Sequence, residues 1–198
     1  LDRNAEKYTQ KHEDLKKQQA LREKQEKEKK QHFIENICPD ILEGNFKTAY
    51  KKIDSSEYDN QLSKLKDSLH KLSNIKENVL KSFKDDIGKK VVIETEDGFK
   101  NYEITRIKNG YVKIKKKIGK ATMEVRLSLS KLTHEEIFKR AGLQGPERGM
   151  FMLAKSYKER NMRMCKRIVQ KMPRKIGEPL SKELDKIKQK LQISQHIL

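Results

Sequence analysis

Two turn dipeptides, Asp97-Gly98 and Asn109-Gly110, constrain the fold of this chain more than any other feature. Each can supply the positive φ angles that a two-residue type I′ turn requires, and each separates runs in which apolar and polar residues alternate. The pattern predicts an antiparallel meander of four strands, which are Lys89–Glu96, Phe99–Lys108, Tyr111–Lys117 and Thr122–Leu129. We therefore expect a small sheet with one buried face and one solvated face.

The alternation assigns the side chains of the last two strands to the two faces. Apolar residues occupy the positions expected to be buried, namely Val112, Ile114, Met123, Val125, Leu127 and Leu129. Basic residues occupy solvated positions, namely Lys113, Lys115, Lys117 and Arg126. Glu124 lies among them, and we expect it to face one of the neighbouring lysines as an exposed cross-strand pair.

The part of the chain before the sheet is predicted to be helical. Residues 2–32 are mostly polar and have no apolar residue in their last third, which indicates a solvated spacer helix. An apolar stripe over 33–42 is interrupted by Pro39, and Asn45 can cap a short helix that follows. Residues 58–82 predict one long helix, because leucine, isoleucine and valine recur there at steps of three and four.

Helices are also predicted after the sheet. Thr133 and Glu136 have the spacing of a capping box, and Pro146 is well placed in the first turn of the next helix. A partner helix follows, and Gly177 with Pro179 should separate it from a last helix. The fold class is therefore α+β and mostly helical, with a four-stranded antiparallel meander (a small open barrel) flanked by helical hairpins.

We expect four segments along the chain, namely a polar spacer helix at 1–32, helical hairpins at 33–87, the meander at 88–131 and further helical hairpins at 132–198. Residues 33–198 should pack as one unit, because their apolar stripes need partners. Since the chain begins with Leu1 and not with Met, we also expect it to be a fragment of a larger protein.

The sequence contains no pattern that predicts catalysis, a cofactor or a metal. The histidines are scattered, and Cys38 and Cys165 have no metal-binding spacing, so Cys165 is expected to be a small buried thiol. The glycines of 142–149 fit a helix stop, a turn and a helix start better than a phosphate loop. We therefore expect no enzyme activity and no small-molecule substrate. The longest apolar run is far below the ~18 residues of a membrane span, which leaves the compartment open and favours the cytoplasm.

The net charge of +18 is concentrated in two regions. Nine Lys or Arg between 105 and 131 are opposed only by Glu124, and nine between 155 and 175 only by Glu159. The sheet lysines, together with Arg163, Lys166 and Arg167 of a helix, could bind nucleic-acid phosphates. However, the strands offer few aromatic residues for base stacking, and lysines on an outer face also protect sheet edges, so solvation explains the charge better.

A short repeat flanks the sheet. The run EGNFKTAYKKI at 43–53 aligns with ERNMRMCKRIV at 159–169, each with Asn after a turn, then an apolar residue and a small residue three further on. Both runs resemble the second helix of a tetratricopeptide-type hairpin. The resemblance implies that Ala49 and Cys165 are the small residues over which two helices pack closely.

The β region has a resemblance of its own. The run KKVVIETEDGFKNYEITRIKNGYVKI, which follows a helix, is similar to the opening of an Sm-like or SH3-like small barrel. The barrel, the junction LSLSKLTHEE and degenerate helical repeats occur in the same order in accessory regions of large multidomain bacterial proteins. Some of those regions lie downstream of Ser/Thr kinase domains, so the resemblance implies an accessory role.

Three functions follow as expectations. The first is a non-catalytic scaffold or protein-interaction module, which binds a protein partner or other domains of the same chain. The alternative is non-specific nucleic-acid binding through the basic sheet and helix faces. The third is an accessory region of a Ser/Thr kinase-type protein. No membrane contact is expected from this chain.

Overall fold

The computed structural model of the chain describes residues 2–118 and 121–195, and the side chains of 12–13, 15–117 and 121–190. Its helices are α1 (Asp2–Glu43), α2 (Phe46–Asp54), α3 (Ser63–Ser73), α4 (Ile75–Lys84), α5 (His134–Ala141), α6 (Gly145–Lys158), α7 (Met162–Gln170) and α8 (Arg174–Gln195). Its strands are β1 (Lys90–Thr95), β2 (Gly98–Lys108), β3 (Tyr111–Ile118) and β4 (Ala121–Leu127). The predicted fold class is confirmed, since the described residues form a mostly helical α+β structure with one four-stranded antiparallel sheet.

The strands follow one another across the sheet in chain order, as the turn pattern predicted. Asn109 and Gly110 have φ angles of 52° and 72°, which lie in the left-handed region that a type I′ turn requires. The first hairpin differs from the prediction, because Gly98 has a positive φ of 95° and Asp97 does not. A type I′ turn needs two such residues, so the first turn belongs to another class. Residues 119–120 of the third turn lie outside the described residues.

The inner face of the sheet is buried on β3 as predicted, but only in part on β4. Its buried side chains are Ile93, Tyr102, Ile104, Val112, Ile114 and Leu127. Met123 was predicted to be buried and is 53% exposed, while Val125 and Leu129 are half-buried. Where helices α4 and α5 contact the sheet, they pack mainly on β1, β2 and β3, so the far end of the β3–β4 hairpin extends beyond the part of the sheet that they cover.

Residues 58–82 do not form the single helix that the apolar stripe predicted. The segment has a 3₁₀ helix at Asn60–Leu62, followed by α3 and α4, which meet at Asn74. The side chains of Ser73 and Asn74 donate hydrogen bonds to the carbonyl of His70, at 2.8 and 3.1 Å. Ser and Asn side chains compete in this way for helix carbonyls, so α3 ends there. The break lets α3 pack on α2 and α6 while α4 packs on the sheet and on α5.

The first helix continues through Pro39, where the sequence predicted an interruption. A proline inside a helix removes one backbone hydrogen bond and is normally disruptive. Pro39 lies on the exposed side of α1, where the unpaired carbonyl of Glu35 can bond to water. Ile37 and Ile41, on the buried side, pack into the core before and after the proline and so stabilise the helix. Residues 15–29 are exposed throughout.

The last helix begins before Gly177 and Pro179, which were predicted to separate two helices. Its first turn is already formed there, because the carbonyl of Pro173 accepts a hydrogen bond of 2.9 Å from the amide of Gly177. Gly177 is buried, and an added Cβ would lie 2.8 Å from the backbone oxygen of Val169. Gly177 is therefore required for the close approach of α8 to α7, and it does not act as a helix breaker.

The two copies of the short repeat have the same backbone geometry. Helices α2 and α7 contain nine residues each and begin after Asn45 and Asn161. The preceding residues, Gly44 and Arg160, both have left-handed φ angles, of 75° and 56°. In both copies the Asn amide donates to the carbonyl five residues earlier, at 2.7 and 2.8 Å. A left-handed residue with such a bond is characteristic of a Schellman turn, so the two hairpins share the same connection.

The two helical halves pack against each other reciprocally. Ala49 and Cys165, which the repeat places at equivalent positions, are both fully buried. Helix α1 packs on α2, α6 and α8, whereas α6 packs on α1, α3 and α7. The first helix of each half therefore contacts the third helix of the other half, as in a pair related by a two-fold axis.

One cluster of buried apolar side chains extends through both helical halves and the inner face of the sheet. Its members come from 33–87, 88–131 and 132–198, although the division of the chain at these boundaries stays a prediction. None of the described helices combines the length and the apolar character needed to cross a membrane.

Gly177→Ala should lower the free energy of unfolding by about 1–3 kcal/mol, because the new methyl group would overlap the backbone oxygen of Val169. Gly149→Ala is the matched control, since its Cβ would meet the flexible end of Met172 at 3.1 Å and alanine favours a helix. Urea-induced unfolding, followed by circular dichroism, measures both variants. Equal stability of the two would contradict a required close approach.

Candidate functional site: the outer face and free edge of the sheet

Three cations form a row across the outer face of the sheet. In the strand register, Lys113 of β3 lies between Arg106 of β2 and Arg126 of β4. The guanidinium carbon of Arg126 lies 2.9 Å from the ring centre of Tyr111, which is a cation–π contact. This row, which we call the basic row, includes two of the predicted nucleic-acid residues, and Lys115 and Lys117 lie further along the same strand.

The next row of the outer face alternates in charge. Lys115 lies between Glu103 and Glu124 in the register, and its Nζ is 2.5 Å from Glu103 Oε1. Glu124 therefore faces a lysine as predicted, but its carboxylate accepts hydrogen bonds from Arg106 Nη2 and Thr105 Oγ1, both at 2.7 Å. These bonds, that of Arg106 first, hold the pKa of Glu124 below its usual value. The sheet thus neutralises part of its own positive charge.

The predicted helix cations lie on another part of the molecule. Arg163 and Arg167 are exposed on α7, and Lys166 pairs with Asp185 of α8 at 2.7 Å. Helix α7 packs mainly on α6 and α8, whereas the helices that pack on the sheet are α4 and α5. The structure therefore does not bring the sheet lysines and the α7 cations together in one site.

An apolar pair on the outer face was missed by the sequence analysis. Phe99 of β2 is 73% exposed, and Val92 of β1 is 54% exposed. Phe99 pairs with Glu94 in the register, so Val92 is its diagonal neighbour on the same face, within reach of an aromatic side chain. The run Val91–Ile93 is apolar throughout and gives no alternation to follow, which hid the exposure of Val92. The position of Phe99 directly after the turn was the available signal.

The β1 edge of the sheet is only partly covered. Beyond the short 3₁₀ helix Leu129–Lys131, Leu132 forms a bridge with Thr95 of β1. The amide of Glu96 donates to the carbonyl of Lys131 at 2.9 Å, and the amide of Thr133 donates to the carbonyl of Glu94 at 3.2 Å. The chain therefore closes the sheet at one end of β1, and the other end is left open.

The predicted capping box forms only in part. The hydroxyl of Thr133 accepts a hydrogen bond from the amide of Glu136 at 3.2 Å, as expected at a helix N-terminus. The amide of Thr133 is already bonded to Glu94, so the carboxylate of Glu136 does not return to it. Instead, Glu136 Oε1 accepts a hydrogen bond from Arg140 Nε at 2.6 Å. One half of the box therefore caps α5, and the other half forms a buried ion pair.

Arg140 connects α5 to α4. Its side chain is 9% exposed, and its Nη1 donates to Asp86 Oδ2 at 2.9 Å and to Ser82 Oγ at 3.2 Å. Its guanidinium carbon also lies 3.6 Å from the ring centre of Phe83. With Glu136 included, Arg140 has hydrogen-bond partners in two directions and an aromatic ring beside it, so its role is structural.

Two open clefts lie on either side of Arg140. The first, of about 490 Å³, separates β1 from α4 and α5 and is lined by Ser82, Asp86, Val91, Val92, Lys139 and Arg140. The second, of about 420 Å³, lies between α3, α4 and the end of α5 and includes Lys71, Lys81, Asp85 and Gly142. Lys71 of the second cleft is paired with Glu147 at 3.3 Å. The first cleft is the one that adjoins the open end of β1.

The cysteines are placed as buried thiols. Cys38 and Cys165 are both buried. Burial is the main cause of the raised pKa of each thiol, and it raises the pKa of Cys38 to about 12. In the described part of the chain, no group of three or more His, Cys, Asp or Glu residues could hold a metal ion.

Comparison of the chain with protein-family models, with curated proteins and with solved structures found no match. The outer face of the sheet and the open end of β1 lie side by side, and together they form the candidate site.

Both thiols should react slowly with iodoacetamide in the folded protein at pH 8. A thiol with a raised pKa has little of the nucleophilic thiolate, and burial also blocks access of the reagent. Mass spectrometry should find both cysteines alkylated within minutes in denaturant. Rapid alkylation of either one in the native protein would contradict its burial.

Arg140→Met should lower the free energy of unfolding by about 3–5 kcal/mol, because Glu136 would keep a buried charge without its partner. Arg174→Met is the matched control, since Arg174 forms an exposed ion pair with Glu178, at 89% and 60% exposure, and should change stability by less than ~0.5 kcal/mol. Urea-induced unfolding measures both. A loss below ~1 kcal/mol for Arg140→Met would mean that the pair is dispensable.

Proposed function

We propose that the chain is a non-catalytic interaction module that binds a segment of a protein partner on its sheet. One observation carries the proposal, the exposed pair Val92 and Phe99 on the face opposite to α4 and α5. Isolated exposed apolar residues are common, but neighbouring ones form a surface whose burial against a partner is favourable. Aromatic side chains are also frequent anchors of protein interfaces.

The shape of the sheet supports an Sm-like or SH3-like small barrel within this proposal. The meander is followed by a 3₁₀ helix at Leu129–Lys131 and by the return of Leu132 to β1, which covers one end of the β1 edge. Covering an edge limits pairing with other chains, and folds of this kind expose an outer surface for ligands.

The helical halves support the tetratricopeptide-like part of the proposal. Two hairpins with the same turn geometry pack reciprocally, with Ala49 and Cys165 buried at equivalent positions. Stacked helical hairpins are usually rigid frames. In the proposed module, this frame holds the sheet in position and the sheet binds the partner.

The charge of the molecule favours an acidic partner. The chain has a net charge of +18, and Lys90, Lys113 and Lys117 lie on the face that contains the apolar pair. Opposite charge on a partner increases the association rate and selects against basic proteins. An acidic segment with an apolar residue fits the candidate site best.

Nucleic-acid binding is the second candidate, and the basic row beside Tyr111 is the observation that favours it. Phosphates could bind Arg106, Lys113 and Arg126, and a base could stack on an aromatic ring. The neighbouring glutamates oppose this function, because Glu103 and Glu124 place two negative charges in the next row. Arg106 is also engaged by Glu124.

Selection of binders from a library of random displayed peptides tests the proposal. Enriched peptides should be acidic and should bind Phe99→Ser at least ~10-fold more weakly than the wild type, because a buried Phe side chain contributes about 1.5–3 kcal/mol. Met164→Ser is the matched control, since Met164 is 40% exposed on α7, away from the sheet. The affinity of this variant for the selected peptides should equal that of the wild type.

Labelled DNA and RNA are titrated in parallel at two salt concentrations. Nucleic-acid binding would be favoured over the proposed function by two results together. The first is sub-micromolar binding near ~0.15 M salt that is lost in a Lys113/Lys115/Lys117→Gln variant. The second is the absence of peptide binding that depends on Phe99. Peptide binding that is equal in Phe99→Ser and the wild type would overturn the proposed surface.

A further inference from the structure

We infer that the open end of β1 binds an extended, acidic segment of a protein partner as an additional strand, in the cleft between β1 and helices α4 and α5. This inference rests on the proposed function, since it names how the partner binds and what its chemistry is. It depends on the backbone of β1, on the lining of the cleft and on the charge around it.

Some backbone groups of β1 at this edge have no hydrogen-bond partner among the described residues. Successive residues of a strand direct their amide and carbonyl groups to opposite sides. Glu94 and Glu96 bond to the returning chain, at 3.2 and 2.9 Å, so the even-numbered residues of β1 face the open edge. The amide and carbonyl of Val92 and the amide of Glu94 therefore face it too. Within the described residues, none of these three groups forms a hydrogen bond.

The open edge has a defined length. The returning chain covers β1 from Glu94 onward through Thr133 and Leu132. The returning chain therefore leaves the edge uncovered from Lys90 to Ile93, with Lys90 and Val92 exposed and Ile93 buried, which is room for a segment of about four residues at ~3.3 Å each. Addition of a strand to an exposed edge is an established mode of peptide recognition, in which main-chain bonds give affinity and side-chain contacts give specificity.

The cleft beside this edge provides contacts for the side chains of such a segment. Val91 and Val92 line its strand side. On the helix side, Arg140 is engaged by Glu136, Asp86 and Ser82, whereas Lys139 forms no ion pair in the described part of the chain. Lys139 is thus the cation available to a carboxylate of the ligand.

Charge decides which kind of segment fits. Lys89 and Lys90 are exposed at the start of β1, and a lysine on an edge strand normally prevents pairing with other strands. In this chain, with its excess of Lys and Arg, the same lysines oppose basic segments and attract acidic ones. We therefore expect a ligand that alternates acidic and apolar residues, so that carboxylates meet Lys90 or Lys139 while apolar side chains contact Val91 or Val92.

A second copy of the chain fits the edge less well. Antiparallel pairing of two β1 strands around Val92 would place Lys90 opposite Glu94 of the other copy, which is favourable. However, Lys89 of the second copy would then meet Leu132, which already occupies the edge beside Thr95. The returning chain therefore favours a short external segment over self-association.

The test uses a seven-residue peptide of alternating Glu and Val with blocked termini, its Lys/Val counterpart, and a version of the acidic peptide with N-methylated alternate amides. Val92→Pro removes the edge-facing amide without removing a bond to β2, because Val92 does not donate to β2. Val92→Thr is the matched reference for Val92→Pro, since it also changes the side chain but keeps the amide. Fluorescence anisotropy measures the Kd.

We expect the acidic peptide to bind the wild type, and to bind Val92→Pro at least ~5-fold more weakly than Val92→Thr, because both variants alter the side chain and only proline removes the amide. The Lys/Val peptide and the N-methylated peptide should not bind, and NMR should show slower exchange of the Val92 and Glu94 amides on binding. If Val92→Pro fails to fold, the N-methylated peptide on the wild-type chain still decides the question. A concentration-dependent dimer that Val92→Pro abolishes would contradict an external ligand, because a second copy of the chain would then occupy the edge.

The failure of this inference can be distinguished from the failure of the proposed function. The affinity of the selected peptides could depend on Phe99 and be insensitive to Val92→Pro and to N-methylation. That result would support the proposed function, a sheet that binds protein segments, and would contradict strand addition. Absence of any peptide that depends on Phe99 or on Val92 would overturn both.

Discussion

The buried ion pairs of Arg140 determine how the sheet is held. The guanidinium pairs with Glu136 within α5, bonds to Ser82 of α4 and to Asp86 just after it, and stacks on Phe83, whose ring is fully buried in the core. A charge with so little exposure is stable only when its partners are in place, so α4 and α5 have one relative position. The inner face of the sheet packs on both helices. The clefts on either side of Arg140 therefore owe their shape to the same contacts.

The arrangement of the helices depends on competition between side chains and the backbone for one helix carbonyl, next to Asn74. Because Ser73 and Asn74 bond to the carbonyl of His70, one apolar stripe becomes two helices with different partners. Helix α3 then completes the reciprocal packing of the two halves, and α4 becomes available to the sheet. An uninterrupted helix could not serve both, since a straight helix directs one apolar stripe to one side.

Sequence reasoning succeeded where local chemistry determines structure, and it failed where distant contacts do. The hairpin at Asn109 and the strand order were predictable because turn residues and alternation are local signals. Gly177 was misinterpreted as a helix breaker, because its requirement comes from the close approach of α7. The candidate site was mostly not predictable. The open end of β1 depends on where Leu132 returns to the sheet, which no local pattern specifies.

The reciprocal packing of the helices has a consequence for synthesis of the chain. Helix α1 packs on α8, and the ion pair of Glu35 with Lys182, at 3.4 Å, joins residues 147 positions apart. Contacts of such separation slow folding, because a long loop must close before they can form. At ~5–20 residues per second, roughly 7–30 s pass on the ribosome between the two residues. During that time the apolar side of α1 is without its α8 partner, and apolar surface that is exposed in this way is prone to aggregation.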